Sequence, residues 1–337
     1  MPPVYVVEQN TKLRIRNQRL EVERVEDDAH IETLLSVPLG QVSQVILFGN
    51  VGLTTPAIDA LLGEGREVIF LTRNGEYRGR LIGEITPHVP LRRAQYARLN
   101  EPHFVLALAK RFVHAKLSHQ RALLLRHNRQ RSDPLIHSAA EQLAQALEAV
   151  ERKQNLASLR GLEGSATAAY FGGLRRLFDP VWRFEKRTRR PPADPVNVLL
   201  SFGYTLMAQT ASGAVQSMGL DPYAGFLHEY AYNRPALALD LLEEFRPVVD
   251  GVALWACASG QITPQDFEPG PPERPVLLLE DGLKRFIRAY ETRMEGRFTH
   301  PLRGVQLAMR QCVFEQARQA ADCIQQAKPD FRGMGFR

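Results

Sequence analysis

Apolar residues in the first part of the chain alternate or cluster in short runs. VYVVE, LRIR and LEVERV, then VSQVILFG and EVIFLT, are rich in β-branched residues and predict strands. Between the last two, AIDALLGEG has helical spacing, with Thr54 or Thr55 as cap, Pro56 in the first turn and glycines at its end. Asn74-Gly75 then signals a tight hairpin, after which RGRLIGEI returns as a short strand. Two prolines in Thr86-Pro87-His88-Val89-Pro90 mark a change from period two to helical spacing. Helices are predicted over 91–129, 135–157, 160–177, 196–218, 235–245, 277–294 and 305–328, with a Pro/Glu-rich loop at 264–275. The expected fold class is α+β. A β-rich domain over 1–86 and a linker over 87–91 precede a mostly α-helical domain over 92–330, and the tail, 331–337, is expected to be mobile.

A chain of 337 residues exceeds what one hydrophobic core usually organises, which agrees with two domains. The start, MPPVYVVEQNTKLRIR, lacks a basic segment followed by an apolar run, so no secretory signal is expected. Residues 195–220 carry no charge, yet Asn197, Thr205, Gln209 and Ser212 interrupt them, which predicts a buried helix and no membrane contact. Cys257, Cys312 and Cys323 are odd in number and lack C-x-x-C spacing, which disfavours a disulfide framework or structural zinc and fits a reducing cytoplasm.

The net charge of +6 is unevenly spread. Residues 1–85 sum to −3, whereas 92–131 hold ten Lys/Arg against one acid and 175–190 hold seven against two. Each basic run alone can be a solvated helix face, but two of them point to a polyanion such as nucleic acid. No phosphate-cradling glycine motif is present, since Gly49-Asn50-Val51-Gly52 lacks the third glycine of a dinucleotide site.

Two acidic segments complete the chemistry. In LRGLEGSATAAYFGGL, Glu163 lies among small residues, including Gly161 and Gly164, that suit close helix packing. Its plain reading is exposure to solvent or pairing with an arginine such as Arg160, and a buried carboxylate there would need a partner or a cation. In GLDPYAGFLHEYAYNRPALALDLLEEFRP, a turn leads to His228, and a helix opening at Pro235 and ended by Arg246-Pro247 carries Asp240, Glu243 and Glu244. That helix is equally readable as an acidic solvated face. Together, Glu163, His228 and Glu243 with Asp240 compose an oxygen-rich site with one imidazole, suited to Mg²⁺ or Mn²⁺. Such an ion beside Lys/Arg-held DNA would activate a hydroxyl and stabilise charge on a phosphodiester oxygen. His228-Glu229 lacks a second histidine at zincin spacing, and no G-x-S-x-G elbow occurs.

In order, LFGNVGLTTPAIDALL, GLEGSATAAYFGGL, PPADPVNVLLSFGYTLM, GLDPYAGFLHEY and RPALALDLLEEFRP resemble the Cas-one family, the CRISPR-associated integrases of spacer acquisition, over nearly the whole chain. The resemblance implies an N-terminal β domain for dimerisation and a helical catalytic domain. It also implies homodimers bridged by a dimer of the small partner Cas two. These would insert short DNA fragments into a CRISPR repeat by 3′-hydroxyl attack, with activity on branched DNA as the reverse reaction. The family's metal ligands match Glu163, His228 and Glu243, for Mg²⁺ or Mn²⁺. Asp240, Asn197 and Tyr170 fall where they can support those ligands, and Lys116, Arg121, Arg175, Arg176, Lys186 and Arg187 are candidates for DNA contact. Where the family often has Asn-Gln-Arg after its lysine, this chain reads Lys116-Leu-Ser-His119-Gln120-Arg121, so the contact made there is expected to differ. A non-catalytic DNA-binding scaffold of the adaptation complex and a transposon integrase acting without Cas two are the alternatives.

Overall fold

The computed structural model describes residues 2–27, 30–84 and 88–335. The chain divides into two compact units, 1–85 and 86–337; the boundary expected at residues 86–87 lies outside the described residues.

In the first unit, β1 (Val4–Val6), β2 (Thr11–Arg16), β3 (Arg19–Asp27), β4 (His30–Pro38), β5 (Gln44–Phe48), β6 (Val51–Leu53), α1 (Thr55–Gly63), β7 (Glu67–Leu71) and β8 (Tyr77–Leu81) follow one another. They form two four-stranded sheets, ordered β1-β5-β7-β8 and β4-β3-β2-β6. β5 and β7 are parallel, as a connection through α1 requires. Thr54 precedes α1 as expected, although its hydroxyl donates to Leu13 O and accepts no cap hydrogen bond from the helix N–H groups. Gly75 adopts φ +85° in the turn between β7 and β8, the left-handed region that the Asn-Gly pair anticipates. Leu13, Leu20 and Val22 from one sheet meet Val45, Leu47 and Val68 from the other, with Leu61 of α1 added, in a single core. The sequence reading missed β4. Its pairing with β3 shifts register between Val22 and Glu23 and again between Val25 and Asp27, and such irregularities blur a period-two pattern.

The second unit contains α2 (Val89–Leu99), α3 (Pro102–Arg131), α4 (Pro134–Val150), α5 (Leu156–Leu174), α6 (Pro195–Ser217), α7 (Ala236–Ala258), β9 (Phe267–Pro269), β10 (Val276–Leu278), α8 (Glu280–Glu295), β11 (Arg297–Thr299), β12 (Gln306–Ala308) and α9 (Met309–Gln326). The helix predicted over 91–129 is two, broken before Pro102, because proline disfavours helical geometry in the residue preceding it. Residues 89–91, expected to be linker, begin α2. α3 packs on α4, α5 and α7 and so runs through the middle of the unit. Against expectation, α7 does not stop at Arg246-Pro247 but continues through Pro247 to Ala258. Proline there removes one hydrogen bond, to the carbonyl of Glu243, while the buried apolar residues on both sides keep the helix packed. α6 is buried over most of its length, and among the described residues no helix is long and apolar enough to cross a membrane. After α9, Phe331 and Met334 are buried; residues 336–337 of the expected tail lie outside the described residues.

Candidate active site

Three helices and one loop bring the acidic and basic side chains together. Lys116 on α3 is only 2% exposed, and its ammonium donates to Glu163 Oε1 on α5 while standing 2.5 Å from Glu243 Oε2 on α7. Lys116, a candidate for DNA contact by sequence, is here paired with two carboxylates. Thr167, one turn along α5, donates a second hydrogen bond to Glu163 Oε1 at 3.0 Å. Arg160, the plain partner expected for Glu163, instead donates to Leu227 O at 2.7 Å and pairs with Glu229.

Asp240, fully buried, gathers the segment that carries the histidine. Its Oδ2 accepts from the backbone N–H groups of Phe226 (2.6 Å) and Leu227 (2.9 Å), and its Oδ1 accepts from the N–H of His228 (2.9 Å). Its Oδ1 also lies 2.7 Å from His228 Nδ1, so that nitrogen carries a proton, and Nε2 faces Glu243 Oε1 at 3.7 Å. Gly225 makes this turn possible, since a Cβ there would lie 2.6 Å from the backbone carbon of Ala236. The sequence placed Asp240, Glu243 and His228 in one segment; that four hydrogen bonds to Asp240 hold the loop is visible only in three dimensions.

Glu243 is buried, and burial by itself would raise its pKa, but Arg246, Lys116 and His228 overrule that and hold the carboxyl well below the usual range. Arg246 donates to Glu243 Oε1 at 2.8 Å and lies 4.7 Å over the Tyr204 ring. The sequence reading gave Arg246 no part, although its i+3 spacing from Glu243 was the available signal. Among the described residues no three His, Cys, Asp or Glu side chains already close on one ion-sized point. The donor types nevertheless fit a hard divalent cation. Two carboxylates converge on one position of positive charge, and an imidazole nitrogen oriented by a carboxylate stands beside them.

The other named residues lie elsewhere. Tyr170 donates to Asp250 Oδ2 at 2.7 Å, with Tyr204 on the second oxygen. Asn197 accepts from Arg187 (2.7 Å) and the Thr188 N–H (2.9 Å) and donates to Lys186 O (2.8 Å) and to the Asp194 carboxylate, so it anchors the basic loop. Arg187, committed to Asn197 and Ser201, is not a free surface charge. Arg121 donates to Ala140 O, Arg176 pairs with Asp133 at 3.0 Å and Arg175 with Glu185 at 3.1 Å. An open groove of about 570 Å³ starts at Gly164 and Thr167, beside Glu163, and is rimmed by Arg175, Lys186, Arg187 and Arg189. Gly164 faces open space there and does not pack against a helix; Gly173 does, since its Cβ would meet Ala139 at 2.9 Å and Leu124 at 3.0 Å. The three cysteines are free and buried, and burial pushes the Cys257 and Cys312 thiols up to about 12.

A cluster of carboxylates with one histidine, in a unit that also carries a groove rimmed by basic side chains, is of the kind found in enzymes that act on the phosphodiesters of nucleic acid. A family model described as "CRISPR associated protein Cas1" matches residues 4–292. The chain is 38% identical over 316 residues to CRISPR-associated endonuclease Cas1 3 of Thermus thermophilus, covering 94% of this chain and 91% of that one. A casposase bound to its integration product has the same fold, with a TM-score of 0.88 at 21% identity, covering 100% of this chain and 95% of the other. A chain of a Cas6-RT-Cas1–Cas2 complex matches at 26% identity with a TM-score of 0.83, covering 100% of this chain and 36% of that longer one. The chain belongs to the Cas1 family and is an endonuclease/integrase of CRISPR adaptation. Membership implies a divalent metal ion in general terms.

Proposed function

We propose that this chain joins short DNA fragments to a CRISPR repeat at a centre built from Glu163, His228 and Glu243, with Mg²⁺ or Mn²⁺ held between them. The observation that supports it is the convergence of Glu163 and Glu243 on one cationic position, with His228 Nε2 presented beside it by Asp240. When bound, the ion would supply Lewis acidity towards a phosphoryl oxygen and favour the ionised form of the attacking hydroxyl.

The chain's own residues position the reactants. Asp240 keeps the proton on His228 Nδ1, and Lys116 and Arg246 keep Glu243 ionised. The groove beside Glu163 admits an extended strand, with the exposed Lys186 and Arg189 on its phosphates; such contacts fix position without reading sequence. The fragment's 3′-oxygen bonds to the target phosphorus, the bond from phosphorus to the target's own 3′-oxygen breaks, and that oxygen takes up a proton as the attacking hydroxyl gives one up. Phosphodiester bonds are conserved in number, so no nucleotide cofactor is consumed. Branched DNA is the substrate of the reverse reaction.

The β-rich unit serves dimerisation, and two homodimers flank a Cas2 dimer in the cytoplasm. The named Cas1–Cas2 complex among the similar structures supports that assembly. The test is strand transfer of a labelled fragment with free 3′-hydroxyls into a plasmid bearing the array, with Cas2 and Mg²⁺ or Mn²⁺. Glu163→Ala and His228→Ala are expected to bind DNA but not join it. Equal joining by the variants would remove the site assignment, and binding without joining by the unaltered protein would favour a scaffold.

A further inference from the structure

The segment that follows α9 is held along most of its length. Phe331 meets Phe112 of α3 edge to face at 4.8 Å, and Met334 is fully buried. Between them Gly333 lies so close to α3 that a Cβ would stand 2.6 Å from the Ala115 Cβ and 3.3 Å from Glu244 Oε1. The next two backbone N–H groups are both used. That of Met334 donates to Glu244 Oε1 at 2.5 Å, and that of Gly335 donates to His119 Nε2 at 3.0 Å. His119 in turn donates from Nδ1 to the carbonyl of Glu244 at 2.9 Å. Gln316 of α9 links the same elements, donating to Glu244 Oε2 at 2.7 Å and to Arg332 O at 3.0 Å.

Glu244 is the residue after Glu243, and His119 lies one helical turn beyond Lys116. Neither is part of the carboxylate centre, yet each adjoins one of its members, on α7 and α3 respectively. A strap bonded to both therefore fixes the rotation and spacing of α7 against α3 where Lys116 meets Glu243. An error of about 1 Å at a reacting centre costs about 100-fold in rate, so such fixation has a kinetic consequence.

We infer that residues 331–335 are a positioning element of the active centre, holding Glu243 and Lys116 in register through Glu244 and His119. The inference rests on the assignment of Glu243 to that centre. Four variants test it in the joining assay: Gly333→Val, which has no room for its side chain; a chain ending at Asp330; Met334→Leu, which keeps both the apolar volume and the N–H; and Glu243→Ala as the reference for the centre itself. For each, the joining rate at saturating fragment, the fragment concentration for half-saturation, the Mn²⁺ concentration for half-maximal joining and the melting temperature are measured. Gly333→Val is expected to lower the rate about 10- to 100-fold and to raise the Mn²⁺ requirement severalfold, with fragment half-saturation within about twofold. Met334→Leu is expected to match the unaltered protein. A chain ending at Asp330 is expected to behave as Gly333→Val does. The inference is overturned if Gly333→Val joins at the unaltered rate with an unaltered Mn²⁺ curve. It is also overturned if rate, DNA binding and melting temperature all collapse together in both Gly333→Val and the shortened chain. Normal joining by Glu243→Ala would instead overturn the underlying site assignment.

Discussion

Glu243 and Asp250 lie seven residues apart on α7, and both are buried, yet their environments drive them in opposite directions. For each, burial raises the pKa. Around Glu243 three cationic or basic side chains, Arg246, Lys116 and His228, reverse that effect. Around Asp250 burial prevails: hydrogen bonds from Tyr170 and Tyr204 and the charges of Arg187 and Arg246 offset it only in part, and the carboxyl rises to about 6. Burial thus does not decide what an acid in this helix does; the charge of its neighbours does. Towards one end α7 keeps a carboxylate ionised beside Lys116 and Arg246, while further along the same chemical group ties α5 and α6 to α7.

The contrast can be tested by neutralising both acids. Glu243→Gln is expected to lower joining by at least about 10³-fold while fragment binding persists, whereas Asp250→Asn costs less than about fivefold. Similar losses in a side-by-side rate measurement would erase the distinction. A smaller effect is expected from Asp240→Asn, which leaves the acceptor count of the loop incomplete and releases the His228 tautomer. Joining should fall about 10- to 100-fold with a raised Mn²⁺ requirement, read from metal titrations of the rate.

The smallest effect concerns stability. Asp250 has a raised folded-state pKa, so folding binds a proton between the unfolded value near 4 and the folded value of about 6. Its contribution is fully present below about pH 4, is lost as pH rises to about 6, and spans about 3 kcal/mol. Asp250→Asn should flatten that decline in denaturant melts taken from pH 4 to 7; an unchanged slope would mean that Asp250 is ionised throughout.

Local chemistry was readable where it is local. The Asn74-Gly75 turn, the helix after Thr54 and the loop leading to His228 all follow from neighbouring residues. The chain-distant facts were not. Lys116 lies 47 residues from Glu163 and 127 from Glu243, so its pattern on α3 shows a basic residue on a basic helix and gives no sign of burial. Pro247 was read as a terminator because local propensity favours that, and tertiary packing overrode it. Arg-Gly-Met-Gly carries too little apolar content to predict docking; its anchors are the side chains of Glu244 and His119, which sequence periodicity cannot place.

The buried position of Phe331 and Met334 also bears on mutation. A premature stop codon at position 331 would leave every member of the carboxylate centre encoded, yet remove two side chains that together bury several kcal/mol of apolar surface. Reading frames that diverge only after α9 are therefore poor candidates for silent variants.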